Sequence, residues 1–400
     1  MTRRPPPCAG ATAPVKRLRV GVLYGGRSGE HEVSVASAAA VFANLDRSRY
    51  EPTAIRIEKD GRWLLADRPP SAASAAEVID QMRSEAARLR AGRDVILPAR
   101  PGDESLVLID RPGRKTDEAD APALITGLSL DVIFPVLHGP FGEDGTVQGL
   151  LELANVPYVG CGVLASAVGM DKAMMKTVFR AAGLRVTDWE VVTRHAWERR
   201  KDELIAHIEA RLPYPLFVKP ANMGSSVGVS KAVDRASLEA AIVRALEFDR
   251  RVVVEVAVPE AREIEVSVLG NEEPEASVAG EIVPAAEFYD YDAKYVLEGS
   301  RTEIPAPIDD ELHAEIRRQA VAAFRAIDGA GLARVDFLLS RATGELFVNE
   351  INTLPGFTAI SMFPKLWSAS GLPFPALIDR LITLALERHA DRQRTRTSAF

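Results

Sequence analysis

Short, β-prone apolar runs that end in glycine-rich loops constrain this chain more than any other feature. Leu18–Tyr24 (LRVGVLY) is such a run. Gly25 and Gly26 follow at once, and a helical pattern then occupies about His31 to Leu45. Strand, tight loop and helix in that order open an α/β unit. Asp131–Leu137 (DVIFPVL) repeats the pattern and ends in the loop His138–Gly145, while Leu216–Lys219 leads into the Gly- and Ser-rich loop Pro220–Gly228. Ligands of open α/β sheets sit at the carboxyl ends of strands, where such loops lie. The first segment lacks G-x-G-x-x-G, so a dinucleotide-binding reading is poor.

The chain has 400 residues, which at about 150 residues per domain predicts two or three domains. Its 47% hydrophobic content is ample for a sizeable core. We expect a first α/β domain over 17–163, holding one helix near Ala76–Ala91 and variable surface segments between Trp63 and Thr126. A central domain over 164–250 is expected to contain a helix Asp171–Ala182, strands near Trp189–Thr193 and Leu216–Lys219, and helices near Ala196–Leu212 and Arg235–Phe248. A last domain over 251–390 collects β-prone runs at Val252–Val258, Glu263–Leu269, Leu332–Leu339 and Leu346–Ile351, with helices near Asp309–Ile327 and Phe374–His389. Residues 1–16 and 391–400 read as tails, the first basic and proline-rich without the apolar stretch of a signal peptide. The predicted class is α/β and α+β, with sites in the clefts between domains.

A net charge of −7 gives no reason to expect nucleic acid or an anionic membrane as a partner. No apolar run approaches the ~20 residues of a membrane span. Two cysteines, Cys8 and Cys161, form no CxxC pair, which makes a zinc site or disulfide scaffold the poorer reading and a reducing cytoplasm the simpler one.

The strongest chemical signal is near the end. Arg334-Val335-Asp336 lies on one expected strand and Asn349-Glu350-Ile351-Asn352 ends another. Strand periodicity points Arg334 with Asp336, and Glu350 with Asn352. The group suits Mg²⁺, a hard cation that keeps waters and takes phosphate oxygens as its other ligands. Arg334 beside it could neutralise a developing oxyanion. A salt-bridge cluster on two edge strands is the plainer alternative. The turn Thr353–Thr358 (TLPGFT) favours the functional one, because Pro-Gly can present backbone N–H groups next to the metal.

Other segments add weaker signals. Lys219 precedes the loop Pro220–Gly228, whose glycines would let backbone amides approach phosphate oxygens; a plain surface turn fits as well, and the lysine stands on the wrong side for a Walker A motif. Lys172 at a helix start is a second phosphate candidate or a solvated lysine. Glu255 and Glu263 bound expected strands and could accept from an adenine amine and ribose hydroxyls, or simply face water. Phe288–Tyr295 (FYDYDAKY) has the look of a closing loop or of a packed loop without a ligand. Glu30 could hold a substrate ammonium, and His138 stands among glycines, either near a ligand or as a satisfied structural residue.

Taken in order, GGRSGEHEVS, HGPFGEDG, MDK, VKPANMGSSVGV, REIEVSVLG, EFYDYDAKY, ARVDFLL and NEINTLPGFT resemble the D-alanine–D-alanine ligases from about Arg19 to Leu386. The resemblance implies a three-domain ATP-grasp fold, ATP as substrate, two Mg²⁺ or Mn²⁺ ions with room for a monovalent cation, and a homodimer. It implies that Lys172 and Lys219 meet the α- and β-phosphates, Lys294 the γ-phosphate, Glu255 and the backbone at Val258 the adenine, and Glu263 the ribose. Phe288 and Asn349 join that nucleotide set. Asp336, Glu350 and Asn352 would hold the metal. Glu30 would grip the first D-alanine, with His138 and Tyr289 nearby. Glu30, Ser225 and Tyr295 would tie a closing loop down. Arg334 and Gly356 N–H would form the oxyanion site, and Ser361 would bind the second carboxylate. The implied reaction passes through an acyl phosphate to D-alanyl-D-alanine for peptidoglycan synthesis. Val256 departs from the lysine common in relatives, so only main-chain contacts to adenine are expected there. Tyr295 argues against a D-lactate-using relative, which generally has His at that place. D-Serine as second substrate, another carboxylate–amine ligase of the same fold, and a non-catalytic nucleotide-binding protein are the rival readings.

Overall fold

The computed structural model describes residues 16–85, 92–102, 106–110, 124–283 and 301–396. Three sheets organise them. The first has seven strands in the order β6-β5-β4-β3-β2-β1-β7. Strands β1 (Leu18–Gly25), β2 (Tyr50–Ile57) and β7 (Val132–Pro135) pair in parallel, with β1 in the middle. Helix α1 (His31–Asn44) covers β1. The segment expected to be largely irregular instead extends the sheet with antiparallel strands β3 (Trp63–Ala66), β4 (Gly92–Ile96), β5 (Leu106–Asp110) and β6 (Leu124–Leu128). These strands are four or five residues long. The expected helix there is the shorter α2 (Ala75–Glu85).

The second sheet has four strands in the order β10-β9-β11-β8: β8 (Trp189–Thr193), β9 (Leu216–Pro220), β10 (Ser230–Ala232) and β11 (Arg251–Val256). Helices α6 (Arg194–Arg211) and α7 (Arg235–Phe248) close a separate core around Ile205, Val218, Ile242 and Val254. Because β11 is hydrogen-bonded between β8 and β9, the border expected at residue 250 is displaced: the strand Arg251–Val256 belongs with the elements before it.

The third sheet has the order β14-β13-β12-β15-β16, formed by β12 (Ala261–Gly270), β13 (Glu275–Val283), β14 (Arg301–Glu303), β15 (Gly331–Ser340) and β16 (Leu346–Asn352). One of its faces packs on α8 (Asp310–Ala326) and α5 (Lys172–Ala181) through Val266, Ala323, Phe324, Val335, Phe337 and Val348. The last helices, α9 (Met362–Ala369) and α10 (Phe374–Arg392), turn back to the first sheet. Leu377, Ile378, Leu381 and Ile382 share one apolar cluster with Val20, Val22, Phe42, Val132 and Phe134. Among the described residues no single helix is long and apolar enough to cross a membrane. The short helices α3 (Thr146–Ala154) and α4 (Val163–Met170) link the first sheet to α5.

Candidate active site

The polar face of the third sheet carries the terminal motif. On β15, Val335 and Phe337 point into the core, so Arg334 and Asp336 share the opposite face. The register sets Asp336 beside Glu350 and Arg334 beside Asn352 on β16, with Glu265 of β12 beside Asp336 on its other side. A register shift follows Asp336: Phe337 pairs with Val348, which leaves Asn349 as an extra residue. Such a bulge re-aims a side chain. Here Asn349 Oδ1 accepts from Lys219 Nζ at 3.4 Å, which ties the third sheet to the second.

Arg334 donates to both oxygens of Asp336, at 2.7 Å each, and lies 2.9 Å from a Glu265 oxygen. Burial works against its charge, but Asp336 and Glu265 outweigh it and hold the guanidinium charged. Asn352 Nδ2 donates to Asp336 Oδ2 at 3.0 Å. Glu265 is 6% exposed and escaped the sequence reading. Its signal was available in Glu263-Ile264-Glu265, since two carboxylates two apart on a strand face one way.

Lys172 follows Asp171, whose side chain caps α5 by accepting from the N–H groups of Ala173 and Met174. Its Nζ donates to Met223 O at 2.6 Å and lies 3.9 Å from Glu350. Lys219 ends β9. Glu255, 2% exposed, lies between two lysines: Lys219 Nζ is 2.5 Å from Oε1 and Lys176 Nζ 2.6 Å from Oε2. Thr187 also donates to Glu255. Burial alone would raise the Glu255 pKa, but the two lysines hold its carboxyl far below the usual range. Lys219 is pushed down by burial and more strongly up by Glu255, Glu350 and Glu263, so it is held charged. Lys176 had no sequence signal beyond its place four residues after Lys172. Backbone N–H groups of Val256 and Ala257 are bound to Asp188 and Pro215 carbonyls, and half-buried Val258 follows them. Glu263 lies on the same strand face as Glu265, one pleat nearer the start of β12.

Opposite the sheet, Glu30 closes the loop after β1. Two glycines make its room. A Cβ on Gly139 would come 2.6 Å from a Glu30 oxygen, and one on Gly224 2.9 Å. Ser225 Oγ donates to Glu30 Oε1. Ser225 and Ser226 have φ of 49° and 59°, left-handed values that non-glycine residues hold only when their surroundings enforce them. Glu143, 9% exposed, accepts from Gly139 N–H at 2.9 Å. Burial first, then Glu30, pushes its pKa up to about 8. Glu143 was read only as part of a motif.

His138 is 5% exposed, and both its ring nitrogens are engaged by protein: Nδ1 with Leu354 O at 2.9 Å and Nε2 with Ser37 Oγ at 3.0 Å. It therefore holds the Leu354–Phe357 turn. In that turn a Cβ on Gly356 would lie 3.0 Å from Ser361 Oγ, a tight approach. Ser361 precedes α9, and its Oγ accepts from Thr358 N–H at 3.1 Å. Backbone amides at a helix start favour an anion. Phe288, Tyr289, Lys294 and Tyr295 lie outside the described residues.

The residues fit a hard divalent cation. Asp336, Glu350 and the Asn352 amide stand together on adjacent strands. Among the described residues no group of three or more His, Cys, Asp or Glu is placed to hold a metal ion by itself; Mg²⁺ usually takes phosphate oxygens and waters as further ligands.

Comparison with known proteins gives the same answer along the whole chain. A family model for the D-ala D-ala ligase N-terminus matches residues 19–161, and one for the D-ala D-ala ligase C-terminus matches 178–383. A D-alanine–D-alanine ligase of Heliobacterium modesticaldum is 51% identical over 378 residues, which cover 94% of this chain and 97% of the relative. The structure of the D-alanine-D-alanine ligase from Coxiella burnetii superposes with a TM-score of 0.75 at 36% identity, covering 95% of this chain and 97% of the other. The VanG D-Ala:D-Ser ligase from Enterococcus faecalis gives 0.78 at 33% identity, with 92% and 100% covered. With two family models and a relative 51% identical matching over nearly its full length, the chain belongs to the D-alanine–D-alanine ligase family.

Proposed function

We propose that this enzyme joins two D-alanine molecules to D-alanyl-D-alanine, using ATP as phosphoryl donor and releasing ADP and phosphate. The observation that carries this reading is the convergence of Arg334, Asp336, Glu350 and Asn352 with the Gly356 turn on one side and the buried Glu30 on the other. In the first step a carboxylate oxygen of one D-alanine bonds to the γ-phosphorus as the bond to the ADP oxygen breaks. Lys172 and Lys219 neutralise phosphate charge, and positioning with electrostatics supplies most of the rate in such a transfer. Mg²⁺ held by Asp336, Glu350 and Asn352 would spread the negative charge of the phosphates. In the second step the amine of the other D-alanine adds to the acyl carbon, and the carbonyl electron pair moves onto oxygen. Arg334 and Gly356 N–H hold that oxyanion. The pair then returns, the carbon–oxygen bond to phosphate breaks, and the departing phosphate takes up the proton that the amine loses. Glu30 grips the first ammonium and Ser361 the second carboxylate. Glu255 and the main chain at Val258 receive the adenine and Glu263 the ribose. We divide the chain into domains at 17–163, 164–256 and 257–390, place it in the cytoplasm and expect a homodimer, which light scattering of the purified protein checks.

Phosphate release from ATP and Mg²⁺ with D-alanine, with products identified by mass, tests the reading. Parallel reactions use L-alanine, and D-lactate or D-serine together with D-alanine. Phosphate in step with D-alanyl-D-alanine is the expected result, and no phosphate despite measurable ATP binding would sink it. D-Serine is the informative competitor, because one structural relative is named a D-Ala:D-Ser ligase. Arg334→Met should lower kcat by roughly two to three orders of magnitude, the loss of an oxyanion donor, while equilibrium ATP binding survives. Unchanged turnover would remove Arg334 from that role.

A further inference from the structure

Ser37 lies on α1, with no exposed surface, and belongs to none of the motifs that carry the chemistry. Its hydroxyl nevertheless joins two parts of the site. Phe357 N–H donates to Ser37 Oγ at 3.2 Å, and Ser37 Oγ meets His138 Nε2 at 3.0 Å. His138 Nδ1 meets the Leu354 carbonyl at 2.9 Å. A carbonyl only accepts, so Nδ1 carries the proton. Burial holds the imidazole neutral, so Nε2 is an acceptor and Ser37 O–H donates to it. The direction of every hydrogen is thereby set: Phe357 N–H to Ser37, Ser37 to His138, His138 to Leu354. The chain grips the turn at the carbonyl two residues before Gly356 and at the amide one residue after it. The peptide that carries the Gly356 N–H lies between the two grips. Ser34, one turn earlier on α1, takes Gly25 N–H at 2.8 Å and donates to Val136 O at 2.5 Å, so the helix on which Ser37 stands is itself pinned to the ends of β1 and β7.

We propose that Ser37 is a positioning residue: through His138 and the Phe357 amide it aims the Gly356 N–H at the oxyanion of the second step. This rests on the ligase reading above. Aim matters because an oxyanion donor acts only when it is already oriented as the charge forms. Ser37 touches neither substrate, so its loss should spare the first step and slow the second.

The test compares Ser37→Ala, Ser37→Thr, His138→Ala and the Ser37→Ala/His138→Ala pair in the full-length enzyme. Two readouts are taken: kcat for dipeptide formation, and D-alanine-dependent scrambling of ¹⁸O from the β,γ-bridge of labelled ATP, which reports the first step alone. Ser37→Ala should lower dipeptide kcat by roughly ten- to a hundredfold, part of the loss seen when an oxyanion donor is removed outright, with KM for ATP and isotope scrambling within about threefold of the parent. Ser37→Thr, which keeps the hydroxyl, should restore most of the rate. The double variant should be no slower than the slower single one, because the residues act as one unit. Parental kcat in Ser37→Ala, scrambling that falls in parallel with dipeptide formation, or losses that multiply in the double variant would each overturn the proposal. If Ser37→Ala does not fold, Ser37→Cys, of nearly the same volume and a weaker donor, carries the same comparison. A parent enzyme that neither scrambles label nor makes dipeptide would instead sink the ligase reading.

Discussion

A single buried carboxyl shows how this site combines charge with a dry interior. Glu143 faces Glu30, Lys172 and Glu350, and burial together with Glu30 raises its pKa from 4.5 to about 8. Near neutral pH it is protonated in the folded enzyme and ionised in the unfolded chain. Between pH 4.5 and 8 the native state therefore binds more protons, and stability contributed by this group falls as pH rises. One proton's difference is worth about 1.4 kcal/mol per pH unit. Glu143→Gln, which cannot titrate, should flatten that part of the profile and gain relative to the parent as pH goes from 5 to 8. Denaturant midpoints across that range check it; identical slopes for both proteins would show that Glu143 is ionised in the folded state. Glu255 is the opposite case. It is as deeply buried, but two lysines keep it charged. A carboxyl's neighbours, more than its depth, decide which form it takes.

Among single elements, α5 connects helix capping to the candidate site. Asp171 caps the helix with one carboxylate oxygen and binds Arg251 of β11 with the other, at 2.5 Å. The next residue is Lys172, so the cap sets where that lysine starts. Asp171→Ala should cost about 1–2 kcal/mol from the cap and raise KM for ATP. If thermal melting shows the loss and KM does not move, Lys172 does not depend on its cap. Elements of this kind were legible in the sequence. The strands Glu263–Leu269 and Leu332–Leu339 and the helix after Asp171 appear within two residues of expectation, because the periodicity is strong where one face is buried. Strands β3 to β6 were not legible, since runs of only four or five residues are too short to show a period. Strand alternation alone could group Arg334 with Asp336, and Glu350 with Asn352. The bulge that turns Asn349 toward Lys219 could not, because the register comes from the partner strand. Ser37 and Lys176 were invisible for a similar reason: their partners lie far away in sequence or on another element.

At the scale of the molecule, Phe357 joins the site to the core. Its ring meets Phe134 of β7 at 5.7 Å, Phe363 of α9 at 5.7 Å and Phe374 of α10 at 5.3 Å. Phe357→Ala should cost about 3–5 kcal/mol and lower kcat as well, because the ring contacts that anchor the turn are lost while its N–H must still be held at Ser37. Calorimetry would record the first loss and steady-state turnover the second; a stable but slow variant, or the reverse, would separate the two roles. The four-stranded sheet encloses its own core, whereas the first sheet and α10 share one.

That shared core bears on how the enzyme is made. The ribosome finishes the first sheet at Leu124–Pro135, yet a helix that covers its apolar face, Phe374–Arg392, is translated only after the second and third sheets. At the usual 5–20 residues per second, the gap lasts on the order of ten to fifty seconds. During that time Val20, Val22, Val132 and Phe134 lack the side chains that complete their cluster. The nascent chain thus carries an open hydrophobic face until Phe374–Arg392 has been made, and the emergence of that helix, more than that of the first sheet, is the moment at which the cluster can close.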